Sequence, residues 1–304
     1  MPICIPHRLP AKKVLQHERV HVMDEMRAVK QDIRPLQIAI LNLMPEKIKT
    51  ETQLARLLGN TSLQVELTLL TTKTYRSKNT SEEHLIDFYK TWDDVKDRNF
   101  DGLIVTGAPL GQMKYEDVQY WEELTQIFDW SQTHCFRNFF ICWGAMAALY
   151  HFYGVEKQVA AKKLSGVFDF VRTPHHPRIF RGINDEFVMP TSRFAYVTAE
   201  DIAQHKELCI LANSEDVGVG FVEEEGDKNM FMLTHPEYDH YTLKDEYERD
   251  LAAGLEIMPQ NYFPGNDPAK EPKNLWRSYA HLLFANWLDD IYQNTPFELA
   301  DVGK

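Results

Sequence analysis

Four cysteines in 304 residues, Cys4, Cys135, Cys142 and Cys209, are too few and too scattered for a disulfide framework, and none belongs to a C-x-x-C pair. A zinc knuckle is excluded with it. Basic residues are scarce as well: 33 Lys and Arg stand against 45 Asp and Glu, and the net charge of −12 repels phosphate backbones and anionic lipid. Neither a nucleic-acid partner nor a membrane surface is expected. The longest apolar run, Phe139 to Tyr150, is well short of the ~20 residues that a spanning helix needs. The N-terminal Met-Pro-Ile-Cys-Ile-Pro-His-Arg has no basic region followed by a long apolar stretch and no small-residue cleavage site. No signal peptide is expected, which places the protein in the cytoplasm. Internal repeats and low-complexity segments are also missing.

What remains is a chain of ordinary globular composition, with 44% hydrophobic and 26% charged residues, able to bury a real core. Residues 1–35 are polar and irregular and read as an N-terminal arm packed on one domain that spans 1–304. Leu36 to Leu43 is an apolar run closed by Met44-Pro45, as expected of a strand buried on both faces. Glu46 to Leu58 has helical spacing and stops at Gly59-Asn60. The alternation continues with a strand at Leu63 to Leu70, a helix at Ser81 to Trp92 opened by a Thr80/Ser81 cap, and a strand at Asp101 to Val105. A helix at Asp117 to His134, a strand at Asn138 to Cys142 and a helix at Gly144 to Tyr153 follow. Such alternation predicts an α/β fold with a mostly parallel sheet and helices on both faces, with chemistry at the carboxyl ends of the strands. Further strands are expected at Phe168 to Arg172, Phe187 to Pro190, Leu208 to Ala212, Gly218 to Glu223 and Met230 to Leu233. Helices are expected at Tyr241 to Leu255 and from about Asn274 to Tyr292, separated by a turn-rich loop.

Two strand ends carry chemistry. Phe139 to Ala145 runs from a buried strand through Cys142 and Trp143 into small residues that open a helix, the pattern of a nucleophile elbow. The amide after such a cysteine can serve an oxyanion, and the helix dipole favours a thiolate. A lone cysteine of this kind more often packs than reacts. The balance shifts at Thr234-His235-Pro236-Glu237, where a histidine and a carboxylate leave another strand end together. A cysteine nucleophile needs a base and the base an orienting group, and Cys142, His235 and Glu237 supply the three.

The strings NLMPEKIKTETQLARLLGN, GLIVTGAPLG, ICWGA, KLSGVF, SRF, HPEYD, YERDLAAGL, NYFPGNDP and WRSYAHLLFANWL, in this order from Met1 to about Glu298, resemble the MetA family of homoserine O-acyltransferases, usually homoserine O-succinyltransferase. The resemblance implies a class I glutamine amidotransferase-like fold and the first committed step of methionine biosynthesis. It implies that Cys142 takes the acyl group from a coenzyme A thioester, that His235 is the base and acid, and that Glu237 orients it. Substrate contacts fall on Lys163, Ser192 and Arg249, with Arg193 as a further contact. No cofactor is implied, only succinyl-CoA as co-substrate, and a homodimer is the family expectation. In this family a glutamate at position 111 goes with acetyl-CoA; Gly111 here leaves room for a succinyl chain, unless it is simply a turn residue needing positive φ. The oxyanion is assigned to the amide of Trp143 and one amide of the loop Gly107 to Gly111.

Three positions depart from the family pattern: Thr191 replaces the usual histidine, Thr234 the usual glycine and Met146 the usual glutamine. The two threonines are expected near the acceptor pocket, which leaves L-serine open as acceptor and acetyl-CoA open as donor. A glutaminase domain of a class I amidotransferase uses the same Cys…His-Pro-Glu arrangement, although its elbow usually reads G-x-C-x-G rather than I-C-W-G. A binding module that keeps the fold without turnover is the third reading. Elsewhere, Trp276, Phe284, Trp287 and Tyr292 are expected to pack on the sheet or at a subunit interface, Glu223 to Glu225 to form a solvated hairpin tip, and His175-His176 to lie in a rigid loop.

Overall fold

The structure is a computed structural model and describes residues 3–4, 8–17, 22–23, 34–75, 79–175 and 177–304. In chain order the principal elements are β1 (Ile3–Cys4), α1 (Ala11–His17), β2 (Val22–Met23), β3 (Leu36–Leu41), α2 (Lys47–Leu58), β4 (Val65–Leu70), α3 (Glu82–Phe88), β5 (Tyr89–Lys90), β6 (Phe100–Val105), α4 (Trp121–His134), β7 (Cys135–Ile141) and α5 (Trp143–Tyr153). The second half adds β8 (Gln158–Arg172), β9 (Glu186–Tyr196), α6 (Ala199–Ile202), β10 (Leu208–Ser214), β11 (Gly218–Glu224), β12 (Asn229–Met232), α7 (Thr242–Ala252) and α8 (Arg277–Asn294). Of the expected N-terminal arm, α1 packs Ala11 and Leu15 into the core, and Leu9 before it is buried too. The arm's positions 1–2, 5–7, 18–21 and 24–33 lie outside the described residues, as does His176.

The strands join one sheet in the order β2-β1-β4-β3-β6-β7-β12-β11-β10-β8-β9, with β5 added beside β4. From β2 through β12 every neighbour is parallel; from β12 to β9 every neighbour is antiparallel. The apolar runs make the parallel half possible, because side chains alternate between two separate cores. Ile38, Ile40, Phe139 and Ile141 enter one, and Ala39, Leu41, Phe140 and Phe231 the other. Each large side chain so buried contributes about 1.5–3 kcal/mol. Strands that must be apolar on both faces cannot alternate with polar residues, which is why they read as uninterrupted runs.

Several boundaries differ from expectation for local reasons. The helix expected to reach Trp92 stops at Phe88, because Tyr89 and Lys90 pair with Leu69 and Leu70 of β4. Its start is as expected, with Ser81 Oγ accepting from the amide of His84. Helix α4 begins only at Trp121, after a separate turn at Tyr115–Asp117. Strands β8 and β9 are far longer than expected, paired from Gln158↔Tyr196 to Val171↔Glu186. Trp276, Phe284 and Trp287 are buried, whereas Tyr292 faces solvent. Glu223 is not at a hairpin tip but within β11, opposite Cys209 and Met230.

Candidate active site

Strand order brings the loops together. β6, β7 and β12 are neighbours in register, Val105 beside Phe140 and Ile141 beside Met232, so Gly107, Cys142 and His235 emerge at the same edge. Cys142 has φ 49° and ψ −112°, a left-handed backbone that a non-glycine residue adopts only at a cost of about 1–3 kcal/mol. Its amide donates to Met232 O at 2.6 Å and its carbonyl accepts from Met146 N at 3.0 Å, which fixes the sharp turn. Gly144 is required there, since a Cβ would meet Thr106 O at 2.6 Å. Trp143 is the first residue of α5, so its amide has no intrahelical acceptor and is free to serve a ligand.

His235 is 2% exposed, with its backbone amide tied to Pro190 O at 2.9 Å. Nδ1 meets Glu237 Oε1 at 2.6 Å, and the ring lies beside Cys142, both flanking Gly107. The ring stacks on Tyr238, centroids 4.2 Å apart. Burial acts to lower the pKa of His235, but negative charge at Cys142 and Glu237 outweighs it and raises the pKa well above the usual histidine value. Protonated His235 is the form this favours. Gly107 closes the group from below: a Cβ there would sit 3.3 Å from both Cys142 Cβ and His235 Cε1. By contrast, burial drives Cys135 away from the thiolate despite the Lys228 charge.

A cavity of about 150 Å³ opens beside this group, lined by Gly111, Trp143, Met146, Lys163, Ser192, Arg193, His235, Tyr238, Glu246 and Arg249 among others. Its charged wall is an alternating network. Lys163 Nζ bonds Glu246 Oε2 at 3.2 Å and Asp250 Oδ2 at 2.7 Å; Arg249 donates from Nε and Nη2 to Asp250 Oδ1 at 3.0 and 2.7 Å. Ser192 Oγ donates to Glu246 Oε2, and Tyr238 OH donates to Glu246 Oε1 at 2.7 Å. Burial would raise the Glu246 carboxyl pKa; the Lys163 charge and the two hydroxyl donors hold it below the usual range instead.

The residues expected for catalysis and substrate contact reach this edge, but Arg193 does so differently from Lys163 and Arg249. Its guanidinium is turned inward onto the carbonyls of Leu233 and Val217. Tyr238, Glu246 and Asp250 were not singled out. The signal was present, for Glu246, Arg249 and Asp250 stand three and four apart on one face of α7. Thr191 and Thr234 are fully buried behind the wall, with hydroxyls that find no partner, and do not line the cavity. Gly111 has no left-handed φ, and a Cβ on it would rest 3.4 Å from Ala195, an ordinary contact. Glycine is thus not demanded there by the backbone. Among the described residues no three or more metal-ligating side chains cluster, and no helix is long and apolar enough to cross a membrane.

A strained cysteine and a histidine–glutamate pair at the carboxyl ends of adjacent parallel strands, in a sheet that turns antiparallel beyond them, define a protein of the class I glutamine amidotransferase fold. A glutamine amidotransferase from Thermotoga maritima superposes with a TM-score of 0.58 at 11% identity, over 86% of this chain and 100% of that one. The chain belongs to the homoserine O-succinyltransferase family, whose profile matches residues 2–297. It is 55% identical over 304 residues to the homoserine O-acetyltransferase of Acetivibrio thermocellus, covering 99% of this chain and 100% of that one. The homoserine O-acetyltransferase of Hyphomonas neptunium is 52% identical over 305 residues, covering all of both chains. The names agree on acyl transfer to homoserine and differ in the acyl group.

Proposed function

We propose that the protein is a homoserine O-acyltransferase of methionine synthesis that works through a thioester on Cys142, with succinyl-CoA as donor. The observation that carries this reading is a strained Cys142 set beside the hydrogen-bonded pair His235–Glu237, opening onto a wall of alternating cations and carboxylates. The Cys142 thiolate attacks the donor carbonyl, and the oxyanion is met by the Trp143 amide and one amide of the 107–111 loop. Collapse forms the enzyme thioester and expels the coenzyme A thiolate, which takes the proton held on His235. The neutral imidazole then accepts the proton of the acceptor's γ-hydroxyl as its oxygen attacks the thioester. The second collapse releases the ester and restores the thiolate–imidazolium pair. Arg249 and Lys163 suit the acceptor's carboxylate, and Glu246 its ammonium. Cys142 and His235 are 5% and 2% exposed, which supports an acyl-enzyme shielded from water.

Gly111 supports the succinyl donor, because it places no side chain and no negative charge where the longer acyl chain and its carboxylate would extend. An acetyl donor is the second reading, favoured by the names of the two relatives. Intact-mass spectrometry after brief mixing with succinyl-CoA or acetyl-CoA, with Cys142→Ala alongside, decides between them. A succinyl adduct on the wild type, absent from the variant and discharged by L-homoserine, is expected. An acetyl adduct alone replaces the donor, discharge by L-serine alone replaces the acceptor, and ammonia released from glutamine with no adduct overturns the transferase.

A further inference from the structure

Strand β8 leaves its ladder beside the cavity. Val159 pairs with Ala195 and Leu164 with Arg193, so Ala160 to Lys163 stand opposite Phe194 alone. Such a bulge re-aims side chains, and no ladder pairing fixes where Lys163 points. Arg249 is loosely set too, on α7 with its side chain 62% exposed. Both cations nevertheless converge on one carboxylate. Asp250 Oδ2 accepts from Lys163 Nζ at 2.7 Å, and Asp250 Oδ1 accepts from Arg249 Nε and Nη2 at 3.0 and 2.7 Å. Neighbouring residues on a helix do not face each other, so Arg249 reaches round to make this contact. Asp250 is 8% exposed and does not itself line the cavity, whereas Lys163 and Arg249 do.

The donors left over suit a ligand. Lysine carries three N–H donors and arginine five. With the bonds to Glu246 and Asp250 made, Lys163 keeps a donor in hand and Arg249 keeps the edge formed by Nη1 and Nη2. We propose that Asp250 is a positioning residue for the acceptor: it fixes Lys163 and Arg249 as a preformed clamp for the acceptor's carboxylate, and so sets which hydroxy compounds discharge the acyl-enzyme. The inference rests on the proposed placement of that carboxylate at Lys163 and Arg249, not on which acyl group is carried. Charge alone argues the other way. One carboxylate repels another, so by electrostatics the removal of Asp250's charge tightens acceptor binding. Where spacing governs, the same removal weakens binding, because two long side chains regain freedom that the acceptor must take away again. Lys163 still has Glu246 Oε2 at 3.2 Å, so the freedom returns first to Arg249.

The test separates the two half-reactions in wild type, Asp250→Asn and Asp250→Glu, with thermal melts to report folding. Loading of Cys142 is followed by intact-mass spectrometry with succinyl-CoA and, separately, acetyl-CoA. Steady-state rates are then measured with L-homoserine and with 3-aminopropan-1-ol, which keeps the hydroxyl and the ammonium but lacks the carboxylate. Asp250→Asn is expected to load Cys142 within about twofold of the wild-type rate, and to raise KM for L-homoserine about tenfold with kcat within about threefold. Its kcat/KM for 3-aminopropan-1-ol is expected to stay within about twofold of wild type, so the preference for L-homoserine falls about tenfold. Asp250→Glu keeps the charge on an arm one methylene longer. It is expected to raise KM for L-homoserine several-fold, and it carries the test should Asp250→Asn not fold. An unchanged or lower KM for L-homoserine in either folded variant overturns the proposal, as does an equal loss with both acceptors. A wild type that serves both acceptors equally overturns the placement of the carboxylate, and one that forms no adduct overturns the transferase reading; the proposal falls with either.

Discussion

Among the described residues two buried histidine–glutamate pairs stand out, and one of them sits beside a cysteine at a strained turn. Glu51 on α2 meets His84 Nε2 with both oxygens, at 2.9 and 3.1 Å, and accepts from Tyr89 OH at 2.6 Å. Asn42 donates to Tyr89 OH at 2.8 Å and to Lys47 O at 3.2 Å, and Lys47 returns a hydrogen bond to Asn42 O. Both oxygens of Glu51 are spoken for, and the network fixes the turn whose Met44 and Pro45 line the cavity. Burial brings Lys47 down to about 8 despite the neighbouring Glu51. Glu237, by contrast, binds His235 through one oxygen and leaves Oε2 buried without a partner, while the histidine ring addresses a strained cysteine. A buried pair alone is architecture; what its histidine turns towards decides whether it is a tool.

Substitutions can break or sharpen this contrast. The largest effect belongs to Cys142→Ala and His235→Asn, each expected to reduce acyl transfer by at least about 10³-fold, whereas His84→Asn stays within a few-fold of wild-type kcat. Glu237→Gln is expected to cost about 10²–10³ in kcat with little change in melting temperature. Glu51→Gln should do the opposite, losing about 2–4 kcal/mol of stability with kcat kept within about threefold. Equal behaviour of the two glutamine variants in paired melts and initial rates would erase the distinction. Gly107→Ala, which pushes a methyl against both Cys142 and His235, is expected to lower kcat about tenfold while the fold survives. Glu223 tests a half-buried carboxyl with no histidine at all: burial first, then Asp227, raises its pKa from the ordinary carboxylate range to about 7. Its stability contribution is present below about pH 4.5 and lost as pH rises through 7, so Glu223→Gln is expected to gain about 1–2 kcal/mol above pH 7. Chemical denaturation at pH 5 and pH 8 checks the sign. Smallest is Tyr238→Phe, which keeps the stack on His235 but removes the bond to Glu246, for an expected two- to fivefold loss in kcat/KM.

The parallel half was legible because burial on both faces writes strands as apolar runs, and the elbow and the His-Pro-Glu turn are local patterns. The antiparallel half was not. Gln158 to Lys163 is mostly exposed and gives no apolar signal, so β8 was expected to begin only at Phe168. Pro190 was taken as a strand end, yet β9 is the outermost strand and can carry a proline on its unpaired side. The charged wall joins Lys163, Ser192, Glu246 and Asp250 from three distant elements, and no spacing in sequence announces such a meeting. Arg193 beside Ser192 looked like a second substrate contact, since nothing local tells that its guanidinium is taken up by the carbonyls of Leu233 and Val217, far along the chain.

The place of β12 between β7 and β11 also sets when Cys142 and His235 can come together. Cys142 leaves the ribosome with its own strand and helix, but the strand that delivers His235 is made only after the whole antiparallel excursion. At 5–20 residues per second that interval lasts roughly 5–20 s. Throughout it the thiol has neither base nor orienting carboxylate. On the mechanism proposed above, a chain interrupted before Asn229 therefore carries a cysteine that is not yet armed.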